Sequence, residues 1–327
     1  MKHVLVTGGA GFIGSHLTEA LLGRGDRVTV VDDESTGDPA NLAGVGGHPR
    51  LCYQKGSVAD GELVRSLLAQ ADEVYHLAAA VGVQLIATSP IHTIETNIYP
   101  TELILRELDR RREATGRSAT FFLASTSEVY GKNPKPQWSE DDDLVIGPTC
   151  RPRWSYGTSK AIDEFLALAY HRERGLPVVV GRFFNVVGPR QSGAYGMVLP
   201  RLVEAALAGG PLTVHDDGRQ ERCFAHVADV AAAVVGLMEC PKAVGGVFNI
   251  GSDEPISILD LARRVIAAVG NEELAIEFTS YAEAYSSDFE DCRRRVPDLA
   301  RIRRLIGFRP RYSLDEVIRE VVASRRK

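Results

Sequence analysis

A short apolar run, His3-Val4-Leu5-Val6-Thr7, leads directly into Gly8-Gly9-Ala10-Gly11-Phe12-Ile13-Gly14 and then into a helical pattern from Ser15 to Leu22. Strand, glycine loop and helix in this order restrict the chain to few folds. Gly9, Gly11 and Gly14 satisfy the Gly-x-Gly-x-x-Gly spacing, and Gly8 extends it to Gly-x-x-Gly-x-x-Gly. Without side chains there, backbone amides at a helix N-terminus can approach a pyrophosphate. The next strand pattern, Arg27-Val28-Thr29-Val30-Val31, ends in Asp32, followed by Asp33. A carboxylate at that place accepts the hydroxyls of an adenosine ribose and repels a 2′-phosphate. No arginine occurs from Asp33 to Asp38, so the pattern reads as NAD rather than NADP.

Farther along, Trp154-Ser155-Tyr156-Gly157-Thr158-Ser159-Lys160 holds a Tyr-x-x-x-Lys pair. Four apart on a helix, Tyr156 and Lys160 lie on one face. A phenol titrates near ~10, so it serves as a base at neutral pH only where a neighbouring cation favours the phenolate. Lys160 is placed to do this. Tyr and Lys at this spacing occur by chance on many amphipathic helices; the nucleotide loop upstream turns the reading toward redox chemistry.

Strand and helix patterns alternate as a doubly wound parallel sheet requires. Glu73 to Leu77 reads as a strand whose following alanines, Ala78 to Ala80, leave room for a cofactor. A long helix is predicted over Thr93 to Arg112, a strand over Ala119 to Ala124, a helix from Tyr156 through Ala169 and a strand over Pro177 to Arg182. Ligands of open α/β sheets bind outside the carboxyl ends of the strands; Thr126, Ser127, Glu128 and Asn185 fall there. The fold class expected is α/β, a Rossmann doubly wound sheet with a smaller, interleaved C-terminal substrate domain. Residues 1–188 and 220–252 are assigned to the NAD-binding domain, and 189–219 and 253–327 to the substrate domain.

The net charge of −5, with basic residues dispersed until the C-terminal run, argues against nucleic acid as a principal partner. No apolar stretch reaches membrane-spanning length, and the chain enters a strand at once, so neither a membrane span nor a signal peptide is expected. Five scattered cysteines without Cys-x-x-Cys fit free thiols in a reducing cytoplasm. The eight histidines show no ligand spacing, and no metal site is expected. His76 and His226 read as structural, and the acidic run Glu140 to Asp143 as a solvated loop.

These motifs together resemble the extended short-chain dehydrogenase/reductase group of NDP-sugar epimerases, dehydratases and decarboxylases. The resemblance spans nearly the whole chain. It rests on Thr7 to Gly14, Asp32, His76-Leu77-Ala78-Ala79, Ser125-Thr126-Ser127-Glu128-Val129-Tyr130-Gly131, Tyr156 with Lys160, Arg182-Phe183-Phe184-Asn185 and Arg222-Cys223-Phe224-Ala225-His226-Val227-x-Asp229. One departure is Ser57, where relatives usually carry an aspartate that helps hold the adenine. The cofactor set that the resemblance implies is Gly8, Gly11, Phe12, Ile13, Gly14, Asp32, Asp33, Ser57, Val58, Leu77, Ala78 and Ala79, with Tyr156 and Lys160.

In this group enzyme-bound NAD oxidises C4 of the sugar and usually returns the hydride. The ketone permits elimination at C5, loss of a C6 carboxylate, or re-reduction from either face. A 4,6-dehydratase of the group usually has an aspartate where this chain has Ser127, and a plain 4-epimerase usually lacks Glu128. Thr126-Ser127-Glu128 therefore resembles the UDP-glucuronate decarboxylases, which yield UDP-xylose or the 4-keto pentose. Two further stretches resemble them: Tyr285 to Asp298, which aligns Arg295 with an active-site arginine, and Ile146-Gly147-Pro148-x-x-x-Pro152-Arg153-Trp154. The catalytic set implied is Tyr156, Lys160, Thr126, Ser127, Glu128 and Arg295; the alternative activity is a UDP-sugar 4-epimerase acting on UDP-glucuronate or UDP-glucose. Either Ser125 or Thr126 would meet the C4 oxygen, and family position favours Thr126; Ser127 is also able to cap a turn. A UDP-sugar partner would meet Asn185, Arg190, Leu199, Arg222 and Arg295, with Val198 to Leu202 and Leu212 to Val214 walling the base. The glycine-rich segment Gly193 to Met197 is expected to be a mobile lid. The resemblance also implies a homodimer packed through the Thr93 and Tyr156 helices.

Overall fold

The computed structural model describes residues 1–82, 89–193, 197–284, 290 and 292–326. The expected lid, Gly193 to Met197, and the Tyr285 to Asp298 stretch therefore lie partly outside the described residues. The N-terminal half runs β1 (His3–Thr7), α1 (Phe12–Arg24), β2 (Arg27–Asp32), β3 (Leu51–Lys55), α2 (Gly61–Leu68), β4 (Glu73–His76), α3 (Pro90–Thr115), β5 (Thr120–Thr126), α4 (Ser155–Arg174) and β6 (Val178–Phe183). There follow β7 (Val186–Val187), α5 (Val198–Leu207), β8 (Leu212–His215), β9 (Glu221–Cys223), β10 (Ala225–His226), α6 (Val227–Glu239) and β11 (Val247–Ile250). The chain continues through β12 (Pro255–Ser257), α7 (Ile258–Val269), β13 (Ile276–Thr279), α8 (Tyr281–Ala284), β14 (Arg294–Arg295), α9 (Ala300–Ile306) and α10 (Leu314–Arg325).

The near-continuous apolar strands predict a sheet covered on both faces, and the central sheet has that form. Its order is β11-β6-β5-β4-β1-β2-β3, with every pairing parallel. Growth of the sheet reverses between β1 and β4, and that switch opens the crevice in which a ligand can lie. On one face α1 and α6 contribute Leu17, Leu21, Val230 and Val234 to the core; on the other α2, α3 and α4 contribute Val64, Leu68, Ile104 and Ala167.

Both long helices outrun their predicted limits. α3 begins at Pro90, whose missing N–H costs nothing in a first turn, and α4 stops only at Gly175, in the left-handed region at φ 71°. The last turn of α4 carries His171, Arg172 and Arg174, polar residues that hide the apolar periodicity yet suit a helix C-terminus.

A third apolar cluster joins α5, α7 and α10 through Leu199, Leu202, Leu261, Val317 and Ile318. Beside it β13 pairs with β8, and β9 lies between β12 and β14. The acidic run departs from its expected solvated form. Asp141 is exposed, but Glu140 is buried and accepts the Asn249 N–H at 2.8 Å, while Asp142 accepts the Ser139 N–H and pairs with Lys135 at 2.5 Å. These carboxylates hold a loop, a role that no local spacing reveals.

Candidate active site

The carboxyl ends of the central strands open onto a cavity of about 1080 Å³, above the ~300–1,000 Å³ usual for one small ligand. Every residue of the expected cofactor set lines it except Lys160. The loop after β1 is shaped by backbone. Gly8 sits at φ 69°, and a Cβ on it would come within 2.8 Å of the Ala78 nitrogen; one on Gly14 would lie 2.1 Å from the Gly8 carbonyl oxygen. α1 starts with Gly11 as its N-cap, with no side-chain cap bond and no acidic residue in its first turn. Its terminal amides are thus left for an anion. Asp32 is buried, accepts the Ala10 and Glu34 N–H groups at 2.9 Å each, and has its acidity weakened first by burial. It both ties the glycine loop to β2 and faces the cavity.

Thr126, Ser127 and Glu128 follow from the end of β5 into a 3-10 turn, and all three line the cavity with Tyr156. The turn is capped by Thr126, whose hydroxyl accepts the Glu128 N–H at 3.2 Å, and not by Ser127. Ser125 donates its hydroxyl to Glu164, which is itself paired with the buried Arg182 at 2.7 Å. That engagement leaves Thr126 as the strand-end hydroxyl beside Tyr156. α4 packs tightly under the turn because a Cβ at Gly157 would meet the Glu128 carbonyl oxygen at 2.5 Å.

The Lys160 ammonium is buried and pairs with Asp163 at 2.9 Å, and Lys160 is not among the residues that line the cavity. Tyr156 is held above its ordinary pKa, first by burial and then by the Glu128 carboxylate; the Thr126 hydroxyl and the Arg153 charge act in the opposite direction. An i,i+3 partner on the same helix was legible as a spacing, but its burial was not. His76 is fully enclosed and neutral, pushed down to about 3 first by burial and then by Lys160. It bridges Thr7 at 2.8 Å and Thr101 at 3.2 Å, a structural role as expected.

Opposite Tyr156, Glu128 meets two guanidiniums. Arg153 approaches one oxygen at 2.5 Å and Arg295 the other at 3.3 Å, and both arginines line the cavity. Arg295 is brought there by β14, which runs parallel to β9 and places Arg295 opposite Arg222. Arg153 comes from the 3-10 turn Pro152–Trp154 before α4, where buried Trp154 packs so closely on Gly147 that a Cβ there would lie 2.1 Å from Nε1. Sequence reasoning quoted Arg153 only as part of a resemblance; its position three residues before Tyr156 was the signal that it faces the same site.

Of the expected substrate contacts, Asn185, Arg222 and Arg295 reach the cavity, and Arg190 and Leu199 do not. Arg190 lies over α1, paired with Glu19 at 2.6 Å and donating to Ser15 at 3.2 Å. Leu199 points into the α5 core, fully buried, while its helical neighbours Val198 and Leu202 face the cavity. From the stretches expected to wall the base, Val198, Arg201, Leu202 and Thr213 line this half; His215, Gln220 and Tyr281 also line it and were missed. These three come from β8, the approach to β9 and α8, so nothing in their local spacing marks them as a group.

The NAD dependent epimerase/dehydratase family matches residues 4–251. A UDP-N-acetyl-alpha-D-glucosaminuronate decarboxylase of Bacillus cytotoxicus is 38% identical over 98% of this chain and 97% of its own length. UDP-glucuronic acid decarboxylase 1 of Xenopus tropicalis is 34% identical over 100% of this chain and 72% of its own. Among solved structures, a UDP-glucuronic acid 4-epimerase of Bacillus cereus, crystallised with NAD, superposes with a TM-score of 0.85 at 28% identity, over 98% of each chain. With the glycine loop, Asp32 and the Tyr156 helix in place, these matches establish that the chain belongs to the NAD dependent epimerase/dehydratase family.

Proposed function

We propose that this protein is an NAD-dependent UDP-uronate decarboxylase that removes C6 of UDP-glucuronate as CO₂, giving UDP-xylose or the UDP-4-keto pentose. The observation that carries the reading is Glu128 held by Arg295 on the cavity wall beside Thr126 and Tyr156. The residues fit the cofactor: the cradle that a Cβ at Gly8 or Gly14 would fill, the bare N-terminus of α1, and Asp32 without a nearby arginine suit NAD. When bound, NAD takes hydride from C4 of the sugar and can return it.

The chain's own residues do the rest. Tyr156 accepts the C4 hydroxyl proton, with the Thr126 hydroxyl orienting that oxygen. Oxidation at C4 makes the C6 carboxylate part of a β-keto acid, which loses CO₂ readily. Arg295 orients the carboxylate and then faces the enolate charge left behind. Glu128, an ionised carboxylate beside Arg153 and Arg295, orients the water that returns a proton to C5. Lys160, fixed by Asp163, holds its end of α4 against the cofactor. Asn185 and Arg222 take the diphosphate, for which a guanidinium fork is suited, and residues 189–219 and 253–327 form the sugar-nucleotide domain around them.

A second substrate, UDP-N-acetylglucosaminuronate, is favoured by the name of the 38% identical relative. Incubation with NAD and each uronate, followed by CO₂ release and NMR of the sugar nucleotides, tests both. CO₂ with a pentose product supports the decarboxylase and identifies the C2 substituent. UDP-galacturonate without CO₂ would establish a 4-epimerase instead. A cytoplasmic homodimer completes the proposal: Ile91, Ile94 and Tyr99 on α3 and Ile162 and Phe165 on α4 are exposed apolar side chains on two packed helices. Light scattering that returns a monomer mass would remove the dimer.

A further inference from the structure

Side-chain contacts put the residues of the far half of the cavity in order. Arg295 on β14 lies opposite Arg222 on β9. Gln220, two residues before Arg222 on extended chain, stands about 7 Å farther along and on the same face, and its amide donates to the His215 carbonyl at 3.1 Å. The His215 ring in turn meets Arg201 of α5, whose Nη1 and Nη2 lie 3.4 and 3.5 Å from Nε2. All five residues line the one cavity. A ligand with its sugar at Tyr156 and Arg295 and its diphosphate at Arg222 therefore carries its nucleoside toward His215 and Arg201. Among the described residues Arg201 has no carboxylate partner, and it is half-buried. A guanidinium only donates, so His215 Nε2 accepts and the ring proton sits on Nδ1. That contact uses one N–H on each terminal nitrogen, and the remaining donors of Arg201 are left for an acceptor that enters the cavity.

Resting on the UDP-sugar reading above, we propose that Arg201 reads the nucleobase, donating to the C4 carbonyl of uracil. C4 lies across the ring from N1, where the ribose is attached, so its oxygen is the part of the nucleotide farthest from the diphosphate. Arg201 stands at the matching end of the contact series. Uracil presents an acceptor at C4, whereas cytosine presents an amino donor there. A group with donors alone meets the first and opposes the second. His215 grips both terminal nitrogens, which fixes the plane of the fork and so the direction of its remaining donors. Val198, one turn earlier on the same face of α5, and Leu202 line the cavity beside Arg201, an apolar setting in which a base ring can lie.

The test is equilibrium binding of UDP and CDP to the NAD-loaded protein by calorimetry. The two ligands share ribose and diphosphate and differ at C4 of the base and in the N3 proton that goes with it. The parent should prefer UDP. Arg201→Met keeps the length and removes the donors, so UDP should weaken about tenfold, or about 1.4 kcal/mol, while CDP holds or tightens. Arg201→Lys should fall between, since an ammonium donates to the carbonyl without the aligned fork. Equal weakening of UDP and CDP would assign Arg201 to the diphosphate and overturn the proposal. A parent without preference, or a variant in which neither ligand changes, overturns it as well. If Arg201→Met fails to show a cooperative melt, Arg201→Lys decides by the same comparison. Neither ligand carries a sugar, so the result is read independently of CO₂ release. CO₂ release with unchanged discrimination in Arg201→Met sinks only this inference, and Arg201-dependent discrimination without CO₂ sinks only the decarboxylase.

Discussion

The glycine loop and the Glu128 corner occupy one cavity but are built in opposite ways. The loop is contiguous: β1, Gly8 to Gly14 and α1 follow one another, and its shape is backbone, set where a Cβ would strike another main-chain atom. The corner is assembled from side chains. Glu128 meets Arg153 across a separation of 25 residues and Arg295 across 167. Binding a generic dinucleotide needs only amides and space, whereas choosing among sugars needs charge at particular points. The first is local, and the second depends on the whole fold.

The largest effect expected tests what both regions serve. Tyr156→Phe should lower kcat by about 10²–10⁴-fold with binding of NAD and UDP-sugar retained; retained turnover would remove Tyr156 as the base. Arg295→Gln comes next, at about 2–5 kcal/mol for a partly desolvated charge pair. It should appear in kcat/KM for the uronate and leave NAD affinity alone, so a matching loss of NAD binding would break the separation between the two regions. Gly14→Ala is the converse. Its Cβ has no room beside the Gly8 carbonyl, and the overpacking should cost about 1–3 kcal/mol. Calorimetry should show weaker NAD binding with UDP binding preserved.

A pH measurement sharpens the comparison further. Tyr156 is raised by burial and then by Glu128, and the phenolate is the working form, so kcat/KM should climb as pH rises through neutrality. Glu128→Gln removes a negative charge that disfavours the phenolate, so this limb should move to lower pH even as kcat falls; an unmoved limb would contradict the electrostatic coupling. The smallest effect belongs to exposed Ser57. Ser57→Asp should tighten NAD by about 1 kcal/mol or less, measurable as a modest fall in Kd.

Much of the molecule was legible before its structure. Gly8, Gly11 to Gly14, Asp32, the alanines after β4 and the Thr126 to Glu128 turn all line the cavity, because each sits at the carboxyl end of a strand, and strand ends can be found from apolar runs. Arg190 and Leu199 lie off the cavity for a related reason. They lie beyond the regular sheet, where one residue's difference in helical phase or turn geometry exchanges cavity for core: Val198 and Leu202 face in, and Leu199 does not. The pairing of Lys160 with Asp163 was not legible, since spacing states which side chains are neighbours without stating which are buried together.

The sequence by itself determined the parallel sheet, the nucleotide loop and the presence of a tyrosine on a helix behind it, since these follow from contiguous patterns of glycine, apolar periodicity and capping. Only the tertiary structure decided that Arg153 and Arg295 share one carboxylate, that Asp163 takes Lys160, and that His215, Gln220 and Tyr281 complete the far wall. Those contacts join segments far apart in the chain. Their geometry is set by how packed elements fall together, which local periodicity does not encode.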